Sequence, residues 1–500
     1  MAFTLAAPTA LPARAQGFEL PMLGEAGSEE LPPGLERKIG EQVMAQIRRD
    51  PDYLADPEAT EYLNHLGYQL VSVSAARTID FSFFIVRDPM LNAFALPGGF
   101  IGVHTGLVIA AQTESELAGV IAHEIGHVSQ RHIARMLGQQ KDTLAIQIGA
   151  LLLAILAARA GGSSSGDLAQ AAIFGGQAAA IQQQLNYSRE AEREADRVGF
   201  VTLVNAGFDG RGLESFFGRL QQGSRLYEGT APAYLRTHPM TVERISDMQN
   251  RSRNMRFKQR PDALDFYLVR ARLRVLQEVS NQGWVDQLEY FNGQLKLRTA
   301  ASDVAAHYGA ALAALKLNKP DLALENALAA RRLTTASSAI LDKLVSETRF
   351  AAARSDDERR QALDAARDTA ARYPLSLVAV ANYIDLLNKS NQHQQAIDTL
   401  RTQIAITRSQ PAFHALLGRS YQALGKQSLH HQSMGEMYAL LGIKPAALQQ
   451  LELARRANDG DFYTMSEIDA RIRELQAEMK REQDAMRESG RPTQDGKPSR

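Results

Sequence analysis

The spacing of apolar positions changes several times along the chain, and each change predicts a different element. Over Ile79-Asp80-Phe81-Ser82-Phe83-Phe84-Ile85-Val86, aromatic and β-branched residues alternate in part with polar ones, which predicts a strand. Asn92 to Leu96 and Phe100 to Thr105 flank Pro97-Gly98-Gly99 and predict a hairpin-like pair. From Thr113 to Leu137 the spacing is that of an amphipathic helix, with Thr113-Glu114-Ser115-Glu116 as a capping box at its start and a nearly uncharged, buried stretch at 117–122. Thr143 to Ala158 is nearly all apolar but shorter than the roughly 20 residues that span a bilayer. Gly161-Gly162-Ser163-Ser164-Ser165-Gly166 then breaks the pattern, and Ala169 to Ala180 is small and apolar. Ser188 to Gly199 is a charged, strong helix former, and from about 260 onward the chain reads as Ala- and Leu-rich helical hairpins.

Chemistry enters where the longest amphipathic helix carries His123-Glu124-Ile125-Gly126-His127, an H-E-x-x-H pattern. Residues four apart share a helix face, so His123 and His127 can direct two imidazoles at one ion, with Glu124 beside them to activate a water. Two histidines and a glutamate at the end of an apolar run are costly unless something satisfies them. A catalytic zinc takes three protein ligands. The metzincin arrangement needs Gly at 130 and His at 133, where this chain has Gln130 and Ile133, so it is excluded. A second helix offers Glu192 and Asp196, four apart on one face of Glu-x-x-Ala-Asp. Glu192 is the expected third ligand, and Asp196 the expected acceptor for the free N–H of a ligand histidine. His238, in Thr237-His238-Pro239, is the candidate to donate to the oxyanion or to occupy the open zinc position at rest. His104 and His132 do not fit the metal face and read as structural.

A substrate peptide must be held extended, and adding it to a sheet edge does this through main-chain bonds. That places substrate along Asn92, Ala93, Phe94 and Ala95, up to Leu96. The region 140–185 lies between the two zinc helices. It reads either as a lid over the cleft, hinged at its glycines and able to touch a membrane surface or an unfolded client, or as a buried helix of the core.

The helical C-terminal half repeats with a period of 34: Ala362 and Ala396 open second helices, and Ile384 and Gly418 occupy first-helix positions. Leu417-Gly418-x-x-Tyr421 matches the tetratricopeptide signature, Tyr308-Gly309-x-x-Leu312 is a weaker copy, and Tyr373-Pro374 ends a repeat. Such pairs stack into a solenoid that binds protein. His430-His431 diverge by about 100° on a helix and read as solvated surface. Net charge is zero, so nothing in the overall balance points to nucleic acid. There are no cysteines, which excludes disulfides and thiolate metal sites. Ala13-Arg14-Ala15 followed by Gln16 looks like a signal-peptidase site without the usual basic start, and a truncated signal over 1–15 implies the periplasm.

H-E-I-G-H, Glu-x-x-Ala-Asp and Asn92-Ala93-Phe94-Ala95-Leu96-Pro97-Gly98-Gly99 together resemble the HtpX and CAAX-prenyl-protease family of gluzincins. Within that family the chain is most similar to the periplasmic BepA-type branch, which couples the protease to tetratricopeptide repeats. The resemblance implies one Zn2+ per chain held by His123, His127 and Glu192, with Glu124 as base, and a His-Pro pair followed by Arg244 closing the domain. The expected fold is mainly α. A small sheet with helices forms an α+β protease domain over 30–255, an all-α repeat domain follows over 260–487 (its last helix at about 464–487), and 488–500 is a disordered tail. The resemblance further implies action on unfolded or misassembled outer-membrane proteins, with chaperone-like binding through the repeats, and the barrel-assembly complex as partner. Without the cysteines usual in that branch, the relative placement of the two halves is open. The alternative function is a non-proteolytic scaffold whose zinc site is structural or closed.

Overall fold

Two helices open the described chain, α1 (Pro33–Ile47) and α2 (Pro57–Val71). Asp56 starts α2 by accepting the Ala59 N–H, and proline takes the first helical position, where no N–H is needed. The computed structural model describes residues 31–138, 189–226, 234–235, 238–239, 241–253, 260–407 and 410–489. The expected signal remnant, the lid region 140–185 and the tail beyond 489 therefore lie outside the described residues.

Strands β1 (Ser82–Val86), β2 (Ala93–Leu96) and β3 (Phe100–His104) form one sheet in the order β1-β3-β2. β1 runs parallel to β3, and β2 pairs with it antiparallel. The first strand is shorter than its sequence pattern, because its partner begins only at Phe100, opposite Ser82. The turn before Phe100 places Gly98 and Gly99 at φ 77° and 90°, a region that favours glycine. Arg37 clamps this turn by donating to Gly98 O at 2.8 Å and Asp80 O at 2.6 Å.

From β3 the chain enters α3 (Thr105–Ala110) and then α4 (Glu114–Ser129), which carries the H-E-x-x-H residues. Thr113 accepts the Glu116 N–H at 3.2 Å, but the Glu116 carboxylate accepts from Gln112 N–H at 2.7 Å instead of the cap residue. The expected capping box is thus half made. The helix expected to run to Leu137 is also broken. Arg131 adopts φ 52° after α4 ends, and α5 (His132–Gly138) starts afresh. The Arg131 guanidinium is drawn to Glu36 at 3.1 Å and to Leu31 O, which redirects the chain. Helices α6 (Arg189–Asn205), α7 (Arg211–Leu226) and α8 (Val242–Arg253) complete this region.

The remainder is helical: α9 (Leu264–Gln277), α10 (Asn281–Leu297), α11 (Asp303–Lys316), α12 (Pro320–Arg332), α13 (Ala339–Ala352), α14 (Asp356–Arg372), α15 (Leu377–Lys389), α16 (His393–Ile406), α17 (Pro411–Ala423), α18 (Gln427–Leu440), α19 (Lys444–Ala457) and α20 (Phe462–Ser489). Successive helices stack as hairpins, as a repeat solenoid requires. Ala362 and Ala396 are fully buried on the second helices α14 and α16, although Ala362 lies inside its helix and not at its start. Ile384 and Gly418 occupy first helices α15 and α17. His430 and His431 are half-buried, contrary to the solvated reading. Their rings do diverge, one meeting Gly418 O and the other Gln450 Oε1, each at 2.9 Å.

The largest core does not stop at the expected domain boundary. It runs from Leu54 through the sheet and α4 to Phe266, Tyr308 and Val345. Across the same boundary Arg272 meets Asp56 at 2.6 Å and Glu58 at 2.9 Å, while Lys343 meets Glu58 at 3.0 Å. The two halves are therefore joined by packing and buried ion pairs. Among the described residues, no helix is long and apolar enough to cross a membrane.

Candidate metal centre

The site depends on a close crossing of α4 and α6. At Gly126 an added Cβ would lie 2.9 Å from Ala195 O, and at Gly199 one would lie 2.9 Å from the His123 backbone. Two glycines thus let the helix backbones approach, which brings a carboxylate of α6 to the imidazoles of α4. His123 Nε2 lies 3.0 Å from His127 Nε2 and 3.6 Å from Glu192 Oε2, and His127 Nε2 lies 3.3 Å from Glu192 Oε1. His238 joins them, with Nδ1 3.0 Å from Glu192 Oε1 and Nε2 3.5 Å from Glu124 Oε1. Ligand atoms of His123, His127, Glu192 and His238 all lie within 4.8 Å of one another, and all four residues are buried.

These residues fit a divalent cation. Three imidazoles and one carboxylate are the donor types that zinc takes. Neither buried Glu124 oxygen is fully hydrogen-bonded, a costly arrangement for a carboxylate unless positive charge offsets it, whereas Glu192 Oε2 already has Arg244 at 2.8 Å. Burial disfavours a charge on His123, yet hydrogen bonds from its ring to Asp196 and Glu192 outweigh burial and raise its pKa to about 10. The surrounding carboxylates thus favour positive charge at this imidazole. Burial likewise opposes ionisation of Glu192, but His238, His123 and His127 hold its carboxyl well below the usual range. His127 is pushed well below the usual imidazole value by burial, and Glu124 is pushed up by burial.

Around the four groups stands a ring of orienting partners. Asp196 Oδ1 lies 2.9 Å from His123 Nδ1. Arg244 anchors Asp196 through two donors at 2.6 and 2.8 Å and sits 2.8 Å from Glu192 Oε2. Tyr234, fully buried, stacks on the His238 ring at 4.6 Å. His132, read from sequence only as structural, contacts His127 through Nδ1 at 2.8 Å and Glu194 through Nε2 at 3.0 Å. Burial holds its pKa down at about 4. Sequence reasoning missed Tyr234 and the specific contact of His132. The only signal for the second was a histidine five residues past His127, out of helical phase. His104 is buried against Asp88, with Nδ1 at 3.4 Å, away from the metal cluster.

Strand β2 lies at the sheet edge beside α4. Asn92 O accepts from His104 N at 3.0 Å, so by antiparallel alternation Asn92 and Phe94 spend their main-chain groups on β3. Ala93 and Ala95 direct theirs outward, and the Ala95 N–H faces the Glu124 carboxylate. Of the four expected substrate contacts, two therefore direct their main-chain groups away from β3.

The pattern of Peptidase family M48 matches residues 42–252. The beta-barrel assembly-enhancing protease of Escherichia coli (strain K12) is 30% identical over 462 residues, 91% of this chain and 91% of the relative. A putative beta-barrel assembly-enhancing protease of Vibrio cholerae is 39% identical over 328 residues, 64% of this chain and 65% of the relative, so that match spans slightly under two thirds of the relative's length. Mitochondrial metalloendopeptidase OMA1 of Schizosaccharomyces pombe is 28% identical over 190 residues, 38% of this chain and 52% of the relative.

Proposed function

The chain belongs to peptidase family M48, a metalloendopeptidase family, and from that premise we propose a periplasmic zinc endopeptidase acting on unfolded or misassembled outer-membrane proteins. The observation that carries the catalytic part is the buried cluster of His123, His127, Glu192 and His238, with Glu124 beside it. His123, His127 and Glu192 hold one Zn2+ in this reading. When bound, the ion supplies Lewis-acid polarisation of the scissile carbonyl and eases deprotonation of water. Glu124 takes the proton of the attacking water and delivers it to the leaving amine. Its raised pKa brings it nearer the working pH, which suits a group that must both accept and release a proton. Ala93 and Ala95 hold the substrate extended as an added strand, within reach of Glu124. Asp196, held by Arg244, keeps His123 in one ring orientation.

His238 sits inside the donor cluster, which supports its resting role as a fourth group that must swing out for substrate. The substrate class rests on the names of the relatives, the compartment on the signal-peptidase-like Ala13-Arg14-Ala15 and the family resemblance, and the repeats supply the surface for clients and for the barrel-assembly complex. Four buried donors also favour a second reading, a closed zinc site in a non-proteolytic scaffold. Glu124→Gln separates the two. A protease loses about 10²–10⁴-fold in hydrolysis of unfolded casein or barrel protein while keeping its zinc and client binding. Zinc-loaded wild type with no measurable cleavage, and no difference from the variant, would leave the scaffold reading. His238→Ala is expected to raise turnover of short peptides; unchanged turnover and unchanged zinc affinity would remove His238 from the mechanism.

A further inference from the structure

We propose that His132 is a positioning residue for the metal centre, fixing the tautomer and ring orientation of His127 by relaying a hydrogen bond to the Glu194 carboxylate. The proposal rests on the zinc reading above. His127 turns Nε2 toward His123 and Glu192, at 3.0 and 3.3 Å, so this nitrogen must carry the lone pair that a metal needs. Its other nitrogen, Nδ1, meets His132 Nδ1 at 2.8 Å. Two ring nitrogens at that distance need one N–H and one lone pair.

The other end of His132 decides which is which. Its Nε2 lies 3.0 Å from Glu194 Oε2, and that carboxylate also accepts from Arg135 Nη2 at 2.6 Å, with Arg197 4.0 Å from its other oxygen. A carboxylate paired with arginine can only accept, so His132 Nε2 is the donor. A neutral His132 then offers a lone pair at Nδ1, and His127 must donate its Nδ1–H. That leaves the lone pair of His127 on Nε2, facing the metal position. A single hydrogen-bond pattern satisfies every group in the chain Arg135, Glu194, His132, His127.

His123 receives the same treatment more directly, with Asp196 at 2.9 Å and Arg244 behind it. One helix, α6, therefore supplies Glu192 to the cluster and the terminal carboxylates, Glu194 and Asp196, of both orienting chains. His132 bridges the longer gap because the left-handed turn at Arg131 swings it back beneath His127.

The test compares His132→Phe, which fills the space without an acceptor, with His132→Asn, which keeps an acceptor where Nδ1 stands. Zinc affinity of the full chain is measured by chelator competition, and the Co2+-substituted protein is followed by its visible absorption. Loss of an orienting partner typically weakens metal binding by about 10–100-fold. The Phe variant is expected to show that loss and an altered Co2+ spectrum, whereas the Asn variant stays within a few-fold of wild type with an unchanged spectrum. Thermal unfolding of the metal-free proteins shows that both variants are folded. Equal affinity in all three proteins, or an equal loss in both variants, overturns the proposal. A wild-type chain that binds no divalent ion would instead defeat the zinc reading itself.

Discussion

At Arg244 a single side chain neutralises two buried carboxylates, Asp196 through a bidentate contact and Glu192 at 2.8 Å. Burial disfavours the charge on this guanidinium, but the two carboxylates outweigh it and raise its pKa above the ordinary arginine value. Arg244→Ala leaves both carboxylates without that partner, and breaking a buried pair in this way costs about 3–5 kcal/mol. Zinc affinity should fall with it, since Asp196 no longer holds His123. Arg244→Lys is not expected to rescue, because a single ammonium cannot reproduce the planar fork. Differential scanning calorimetry and zinc titration of the two variants check this, and full rescue by lysine would show that charge alone suffices. At this scale the sequence was informative wherever one helix carried the geometry. His123 with His127 and Glu192 with Asp196 are four apart, so their shared faces follow from helical periodicity. His132 was not legible, because its place depends on a left-handed residue that no periodicity announces.

Between elements, the α4–α6 crossing determines whether the site exists at all. Glycine is required at Gly199, where a Cβ would stand 2.9 Å from the His123 backbone, and rigid helix backbones cannot yield as a flexible side chain would. Gly199→Ala should therefore push the helices apart, lower the melting temperature and weaken zinc binding together. Gly218, on α7, supplies the control: nothing lies within 4 Å of an added Cβ there. Gly218→Ala should leave zinc binding alone and stabilise the helix by about 0.5–1 kcal/mol through reduced freedom of the unfolded chain. A Gly199→Ala protein with unaltered zinc affinity would show that the crossing has slack. The sheet was readable from alternation and the Pro97-Gly98-Gly99 turn, but its order was not, because parallel pairing of β1 with β3 leaves no local signature. Nor could the sequence show that α4 and α5 are separate, since Gln130 and Arg131 are ordinary helix formers and the break comes from the distant Glu36.

In the whole molecule the question is whether protease and repeats fold as one. Helix α2 packs on the sheet and α4, and also on α9 and α15, and its Glu58 is enclosed by Arg272 of α9 and Lys343 of α13. Burial opposes ionisation of Glu58, but those two cations outweigh it and hold its pKa at about 2, against 4.5 for the free side chain. A carboxyl lowered on folding stabilises the folded chain above its unfolded value, and that contribution is lost as pH falls from about 4.5 toward about 2. The depression corresponds to about 3 kcal/mol at neutral pH. Burial raises Glu61, Glu114 and Asp265, which oppose this trend, so the informative quantity is a difference between proteins. Glu58→Gln should be less stable than wild type at pH 7, and the gap should close near pH 2–3. Trp284, the only tryptophan, lies on α10 and packs against the shared core, so its fluorescence reports on the repeats while zinc release reports on the protease. The two signals should coincide in one denaturant transition for wild type, as a continuous core demands. If they separate, or if the stability gap is the same at both pH values, the ion pairs at this boundary do not couple the two halves.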